Sequence, residues 1–314
     1  MNPDAIRSRV NEFQSVLHTP EVDSLAMRTS SWAVQKKLFG DSTLDTPHVR
    51  AVVVASVYAH LCCPTTANAH QLDVAARFCL LFFCIDDAEP EELPDLTTAD
   101  ELWSVGPLTA PLRAWLAETD EVAQAPRIVR DSFTRNFHDY LEFRRAEPSS
   151  RQEALNVTEH WDFRRQTVFI EPYIDLWMMT MALDADSLTG DDVARCRRQV
   201  VDLVCLANDL GSLVRDRDGG DAEHDLNLVH TYQRENGWTE DQAVEHMVTE
   251  HNELVIEFRA TIAAVCQRIA TSDASGFADM LYGIVDGNRD ALGVLHFRYP
   301  GVTSIIARLL TSRP

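Results

Sequence analysis

Glycine and proline are scarce, 12 and 13 of 314 residues, and they gather between apolar segments rather than within them. Apolar and polar residues rarely alternate between turn signals. Together these absences exclude a sandwich or barrel of short strands. Positive charge is also short: 28 Lys and Arg face 49 Asp and Glu, a formal net charge of −21. So acidic a chain excludes a nucleic-acid backbone as partner. The seven cysteines form no C-x-x-C pair. Their odd count fits reduced, buried thiols rather than a disulfide framework. The longest apolar run, around Phe78 to Ile85, is far too short to cross a bilayer. The opening residues MNPDAIRSRV lack the apolar core of a signal peptide. The expectation is a soluble, cytoplasmic protein with no membrane insertion. No G-x-x-x-x-G-K phosphate loop occurs, and Gly219-Gly220 does not open one. His60, His70, His160 and His296 lack zinc-ligand spacing and read as structural.

What is present is helical periodicity. Val52 to Leu61, Leu72 to Ile85, Arg127 to Phe143, Arg195 to Leu213 and Leu254 to Ile269 repeat apolar residues at helical spacing. The short run Val168 to Ile170 is β-branched and aromatic but sits inside a helical pattern. Thr239 with Gln242 three residues on forms a capping-box start. Thr189-Gly190-Asp191 reads as a loop entering a helix. Pro90 ends or bends the helix that carries Asp86 and Asp87. Arg217 to Asp225, Gly-rich and charged, reads as a loop. No internal repeat or linker appears, so the expectation is one all-α domain spanning 1–314, with about ten helices.

Two acidic clusters lie roughly 120 residues apart. The first, Ile85-Asp86-Asp87-Ala88-Glu89-Pro90-Glu91, closes an apolar run, so its carboxylates sit at a rim anchored to a buried helix. Either Glu89 or Glu91 is placed to join Asp86 and Asp87, and Glu91 lies within reach of the same ion. In the second, Asn208, Ser212 and Asp216 fall at i, i+4 and i+8, on one helix face. Three oxygen ligands in a row suit a hard divalent cation such as Mg²⁺. Arg215 adds a cation suited to phosphate oxygens at the same rim. Two such sites face to face would cage a diphosphate.

These motifs resemble those of bacterial class I terpene synthases. That family carries a DDxxxE or DDxxD motif, here Asp86 to Glu91, and an N-D-x-x-S-x-x-x-E motif, here Asn208, Asp209, Ser212 and Asp216. Gly220-Asp221 and Asn227-Leu228-Val229 match the continuation of the second motif. The C-terminal Arg-Tyr pair is Arg298-Tyr299. The segment Arg164-Arg165-Gln166-Thr167-Val168-Phe169 is similar to the family's R-R-x-T-x-G, with Arg165 the better match for its diphosphate-sensing arginine. The resemblance implies a helical bundle around a central apolar cavity and three Mg²⁺ ions holding an isoprenoid diphosphate substrate. Asp86, Asp87, Glu91, Asn208, Ser212 and Asp216 are then the metal ligands. Arg165, Arg215, Arg298 and Tyr299 hold diphosphate, and Phe83, Val168 and Phe169 line the cavity. A homodimer is a further family expectation.

The chain departs from the family pattern in three ways. Asp216 replaces the commoner Glu, one methylene shorter but an equally hard ligand. Phe169 occupies the place of a glycine in the region that helps trigger ionisation. Ile284 and Ala291 stand where tryptophans are common, which changes the aromatic lining. The remaining aromatics Phe82, Phe163, Trp177 and Phe297 read as core packing, and Met178, Met179 and Met181 as core filler. The expected activity is cyclisation of farnesyl or geranylgeranyl diphosphate to a sesquiterpene or diterpene with release of diphosphate. The rival readings are an enzyme for a pre-cyclised diphosphate, a chain-elongating prenyltransferase, and a non-catalytic acidic helical binding protein.

Overall fold

The computed structural model describes residues 19–39, 46–86, 109–119, 124–152, 155–218, 227–269 and 272–314. Among them lie twelve helices and no strand: α1 Pro20–Gln35, α2 Thr46–Leu61, α3 Ala69–Asp86, α4 Thr109–Glu118, α5 Arg127–Gln152, α6 Val157–Thr167, α7 Ile170–Thr180, α8 Asp191–Asp218, α9 Leu228–Asn236, α10 Glu240–Arg268, α11 Ser272–Val294 and α12 Thr303–Ile306. Four of the five segments identified by periodicity fall inside α2, α3, α5 and α8, and the fifth, Leu254 to Ile269, ends on the C-cap of α10. None of the described helices is long and apolar enough to cross a membrane.

Local chemistry sets several helix starts. Thr19 caps α1, accepting from the Val22 N–H at 3.3 Å, with Pro20 in the first turn, where its missing N–H costs nothing. The capping box at α10 forms as the sequence predicts: Thr239 Oγ1 accepts from Gln242 N at 3.3 Å and Gln242 Oε1 from Thr239 N at 2.9 Å. Asn156 and Glu159 make a second box at α6. One expectation needs correction. Helix does not run through Val168 to Ile170; α6 ends at Thr167, and α7 restarts at Ile170 behind a left-handed Phe169. Arg217 is also helical, because α8 continues to Asp218.

The centre of α8, Leu203-Val204-Cys205-Leu206, is buried on every side, as befits a helix enclosed by others. Around it pack α6, α7, α9, α10, α11 and α12. Helices α2, α3 and α11 close the other half of the bundle, α2 against both α3 and α11. Gly283 and Gly287 make that last contact possible. A Cβ at Gly287 would stand 2.2 Å from the Leu61 carbonyl oxygen, and one at Gly283 would stand 2.4 Å from that of Cys63.

His251, on α10, is buried, and burial pushes its pKa down to about 4. The unfolded chain therefore binds a proton there between about pH 4 and 6.5 that the folded chain refuses, so stability rises with pH across that window. The melting temperature is expected to fall as pH drops from 6.5 to 4, and His251→Asn to flatten that slope. Equal slopes in a two-protein melting series would remove His251 from the account.

Candidate active site

One cavity of about 170 Å³ opens where α2, α3, α6, α7, α8 and α11 converge. Its wall is aromatic and aliphatic: Phe78, Phe82 and Phe83 from α3, Tyr173 from α7, Val204 from α8, Ile284 from α11. Its other lining residues include Asp86, Asn208, Ser212, Arg164, Arg215, Arg298 and Tyr299. Residues from both acidic clusters therefore meet on one cavity. Asp87, Glu89 and Glu91 lie outside the described residues, as do Gly220 and Asp221.

The second cluster is tied down by buried hydrogen bonds. Asp209, 2% exposed, points away from its neighbour Asn208 into the bundle. There it meets Arg164 at 2.8 Å, His160 Nε2 at 3.7 Å and the Leu228 N–H at 3.0 Å. Burial raises the Asp209 pKa, but Arg164, His160 and the backbone donor outweigh it, and the net direction is down. Asn227 is fully buried and caps α9 through Oδ1. Its Nδ2 donates to the Asp209 carbonyl at 2.8 Å, to Asp216 Oδ2 at 3.0 Å and to Ser212 Oγ at 3.4 Å. Ser212 donates to Asp216 in turn, and Arg215 donates to Asp216 Oδ1 at 3.0 and 3.1 Å.

Asn208 is the exception. Its Oδ1 is buried without any hydrogen-bond partner. A buried amide oxygen left unmet is costly, and one beside Ser212 and Asp216 has the chemistry to hold a hard cation. No three His, Cys, Asp or Glu side chains converge as a metal site among the described residues; the set that fits is Asn208, Ser212 and Asp216, with a single carboxylate.

At the mouth, Arg298 lies over the Phe83 ring at 5.1 Å, and its Nε donates to Tyr299 Oη at 3.3 Å. Tyr299 Oη also pairs with Tyr58 Oη at 3.1 Å. From α5, Arg144 reaches Asp86 at the end of α3, donating to its carbonyl and standing 3.8 Å from Oδ1. The cationic groups Arg164, Arg215 and Arg298 thus border an otherwise strongly acidic chain's cavity.

Arg165 is not among them. It donates to Asp202 at 2.7 and 3.1 Å, on the outer side of α6. The arginine on the cavity is Arg164, because His160, Phe163 and Thr167 are the buried stripe of α6 and Arg164 lies along it. Phe83, Val168 and Phe169 line this cavity, and Phe82, read as packing, joins them. Phe163, Trp177 and Phe297 do not. Ile284 lines the wall, whereas Ala291 is core. Asn227 entered the sequence reading only as part of a motif continuation, with no role assigned, and Tyr58, Tyr173 and Asn288 were not singled out.

Phe169 is the strained element. It caps α7 in the left-handed region, φ 62° and ψ 20°, a conformation that costs a non-glycine residue roughly 1–2 kcal/mol. Aromatic packing holds it there. Its ring stacks on Phe82 at 4.5 Å and 9° and on Phe78 at 5.1 Å, with Tyr140 at 4.5 Å and Phe137 edge-on at 5.1 Å.

A family model described as terpene synthase family 2, C-terminal metal binding, matches residues 77–257. The chain belongs to that family. The matched span carries both acidic clusters and the Arg164–Phe169 segment. The synthase is also similar to 2-methylisoborneol synthase from Streptomyces coelicolor A3(2), solved with Mg²⁺ and 2-fluoroneryl diphosphate: 20% identity, 91% of this chain and 98% of that one covered, TM-score 0.74. Linalool/nerolidol synthase from Streptomyces clavuligerus, solved with 2-fluorogeranyl diphosphate, gives 19% identity over 87% and 98% of the two chains, TM-score 0.71. For α-eudesmol synthase the values are 17%, 88%, 96% and 0.68. At such identities the likeness establishes the all-α class I fold. No curated protein sequence matches the synthase.

The strain at Phe169 inverts the usual order of small substitutions. Ala is normally the more stable of Ala and Gly, but at positive φ Gly is favoured. Both Phe169→Ala and Phe169→Gly lose the ring contacts, a loss of about 3–5 kcal/mol for a buried Phe truncated to Ala. Phe169→Gly is expected to be the more stable by about 1 kcal/mol in urea unfolding; a less stable Gly variant would contradict the strain.

Proposed function

We propose that the synthase ionises a linear isoprenoid diphosphate with the aid of Mg²⁺ and cyclises the resulting allylic cation, releasing diphosphate. The observation that carries this is the convergence, on one apolar cavity, of an orphaned Asn208 Oδ1, of Ser212 with Asp216 hydrogen-bonded behind it, and of Arg164, Arg215 and Arg298. Asn208, Ser212 and Asp216 would hold a metal, with Asp86 facing from α3 and Asp87 and Glu91 following it in sequence. Bound Mg²⁺ supplies Lewis-acid neutralisation of diphosphate oxygens.

The chain's own residues supply the rest. Arg164, Arg215, Arg298 and the Tyr299 hydroxyl hydrogen-bond the departing diphosphate, placing cationic donors where negative charge grows. Arg164 is anchored by Asp209, so its guanidinium is fixed before substrate arrives and loses little on reorganising. Phe78, Phe82, Phe83 and Phe169 exclude water and turn π-faces to a migrating cation. A cavity of about 170 Å³ with the Phe169 ring in its wall favours farnesyl over geranylgeranyl diphosphate as substrate.

Incubation with Mg²⁺ and, separately, geranyl, farnesyl and geranylgeranyl diphosphates, followed by gas chromatography with mass detection, tests the reading. A cyclic sesquiterpene skeleton from the farnesyl substrate is expected. No product from any chain length, with folded protein and Mg²⁺ present, would sink it. Among variants, Asn208→Ala and Arg164→Lys are expected to lower turnover by about 10²-fold, the scale of losing one preorganised group at a developing charge. Arg165→Lys should stay within a few-fold of the parent, because Asp202 holds it away from the cavity. A reversed order of the two arginines would return the sensing role to Arg165.

A further inference from the structure

Asn288 lies on the cavity wall, one turn past Ile284 on α11, and is 3% exposed. Its Nδ2 is buried without a hydrogen-bond partner. Nothing in the diphosphate chemistry uses it, because it sits on the helix that lines the apolar wall with Ile284. The close approach at Gly287, which brings α11 against the Leu61 carbonyl and the Cys62 N–H, puts the next residue, Asn288, beside the end of α2. Tyr58 and Cys62 stand there at i, i+4, both on the cavity.

Asn288, Tyr58 and Cys62 are themselves neutral, and the Arg298 charge reaches this corner only through Tyr299. Burial raises the Tyr58 pKa well above that of a free phenol, and burial likewise keeps Cys62 a thiol. Tyr299 is engaged on both sides, by Arg298 Nε and by Tyr58, but the Tyr58 oxygen keeps a lone pair that can accept a further hydrogen bond. An unmet amide, a hydroxyl with capacity left and an enclosing apolar wall do not suit an ion. They suit one small neutral molecule that both donates and accepts hydrogen bonds.

We infer that Asn288, with Tyr58, holds a single water molecule in the cavity, and that this water captures the final carbocation, so that the synthase makes a cyclic terpene alcohol. The inference rests on the ionisation reading above and deepens it by fixing the product class. In the capture step a lone pair of the water oxygen forms the C–O bond into the empty orbital of the cation. The oxonium proton then passes to the diphosphate that ionisation has released. No oxidant or reductant enters.

The test runs turnover in ¹⁸O-labelled water and reads products by mass spectrometry, with released diphosphate assayed in parallel. The wild-type protein should give an alcohol that carries ¹⁸O. Asn288→Leu, similar in volume but unable to hydrogen-bond, should shift the alcohol-to-hydrocarbon ratio about tenfold toward hydrocarbon, as expected on losing the water's main partner. Asn288→Ser, which keeps a polar group, should retain alcohol as main product. Hydrocarbon alone from the wild type, an alcohol without ¹⁸O, or an unchanged ratio in a folded Asn288→Leu protein would each overturn the inference while leaving ionisation intact. No diphosphate release from the wild type would instead overturn the ionisation reading, and this inference with it. The wild-type labelling result decides the matter even where Asn288→Leu does not fold.

Discussion

A buried carboxylate organises this protein. Asp209 takes the Arg164 guanidinium, the Leu228 N–H and the His160 ring edge, and so joins α6, α8 and α9 at one point. A charge removed from water is tolerated only when it is paired and hydrogen-bonded, and here the same bonds fix two other things. They aim Arg164 at the cavity, and they seat the start of α9 so that Asn227 can hold Ser212 and Asp216 from beneath. Asp209 is thus a positioning residue for the polar face of the cavity. Asn208, its neighbour, is left with an unmet oxygen on that face.

The other half of the cavity is set by packing. Gly283 and Gly287 let α11 close on α2, and the aromatic set on α3 and α5 clamps Phe169 in a conformation that favours glycine. Strain of this sort persists only where the surroundings over-determine it. The side chain that carries the strain also lines the cavity, so contour and backbone geometry are coupled at one residue.

Much of this was legible in the sequence where physics is local. Periodicity located α2, α3, α5, α8 and α10, and Thr239 with Gln242 announced the start of α10. The i, i+4, i+8 spacing placed Asn208, Ser212 and Asp216 on one face. What depended on tertiary contact was not legible. The break at Val168–Phe169 carries no glycine or proline and is packed by rings brought in by two other helices, α3 and α5. Arg164 and Arg165 differ by one helical step; the choice turns on the stripe His160, Phe163, Thr167, which was available in the sequence but needed the phase of α6 to be read. Asn227 falls in a matched motif, but its clamp on Ser212 and Asp216, like the unmet amide of Asn288, depends on groups on distant segments.

The central claim is that Asn208, Ser212, Asp216 and the cavity arginines form one site for a metal-bound diphosphate. The most direct measurement is thermal unfolding of the protein with Mg²⁺, with inorganic diphosphate, and with both. A ligand that binds only the folded state must raise the melting temperature. The account predicts a rise with the two together that clearly exceeds the sum of the separate effects. No rise with both, or the same rise with diphosphate alone, would contradict it.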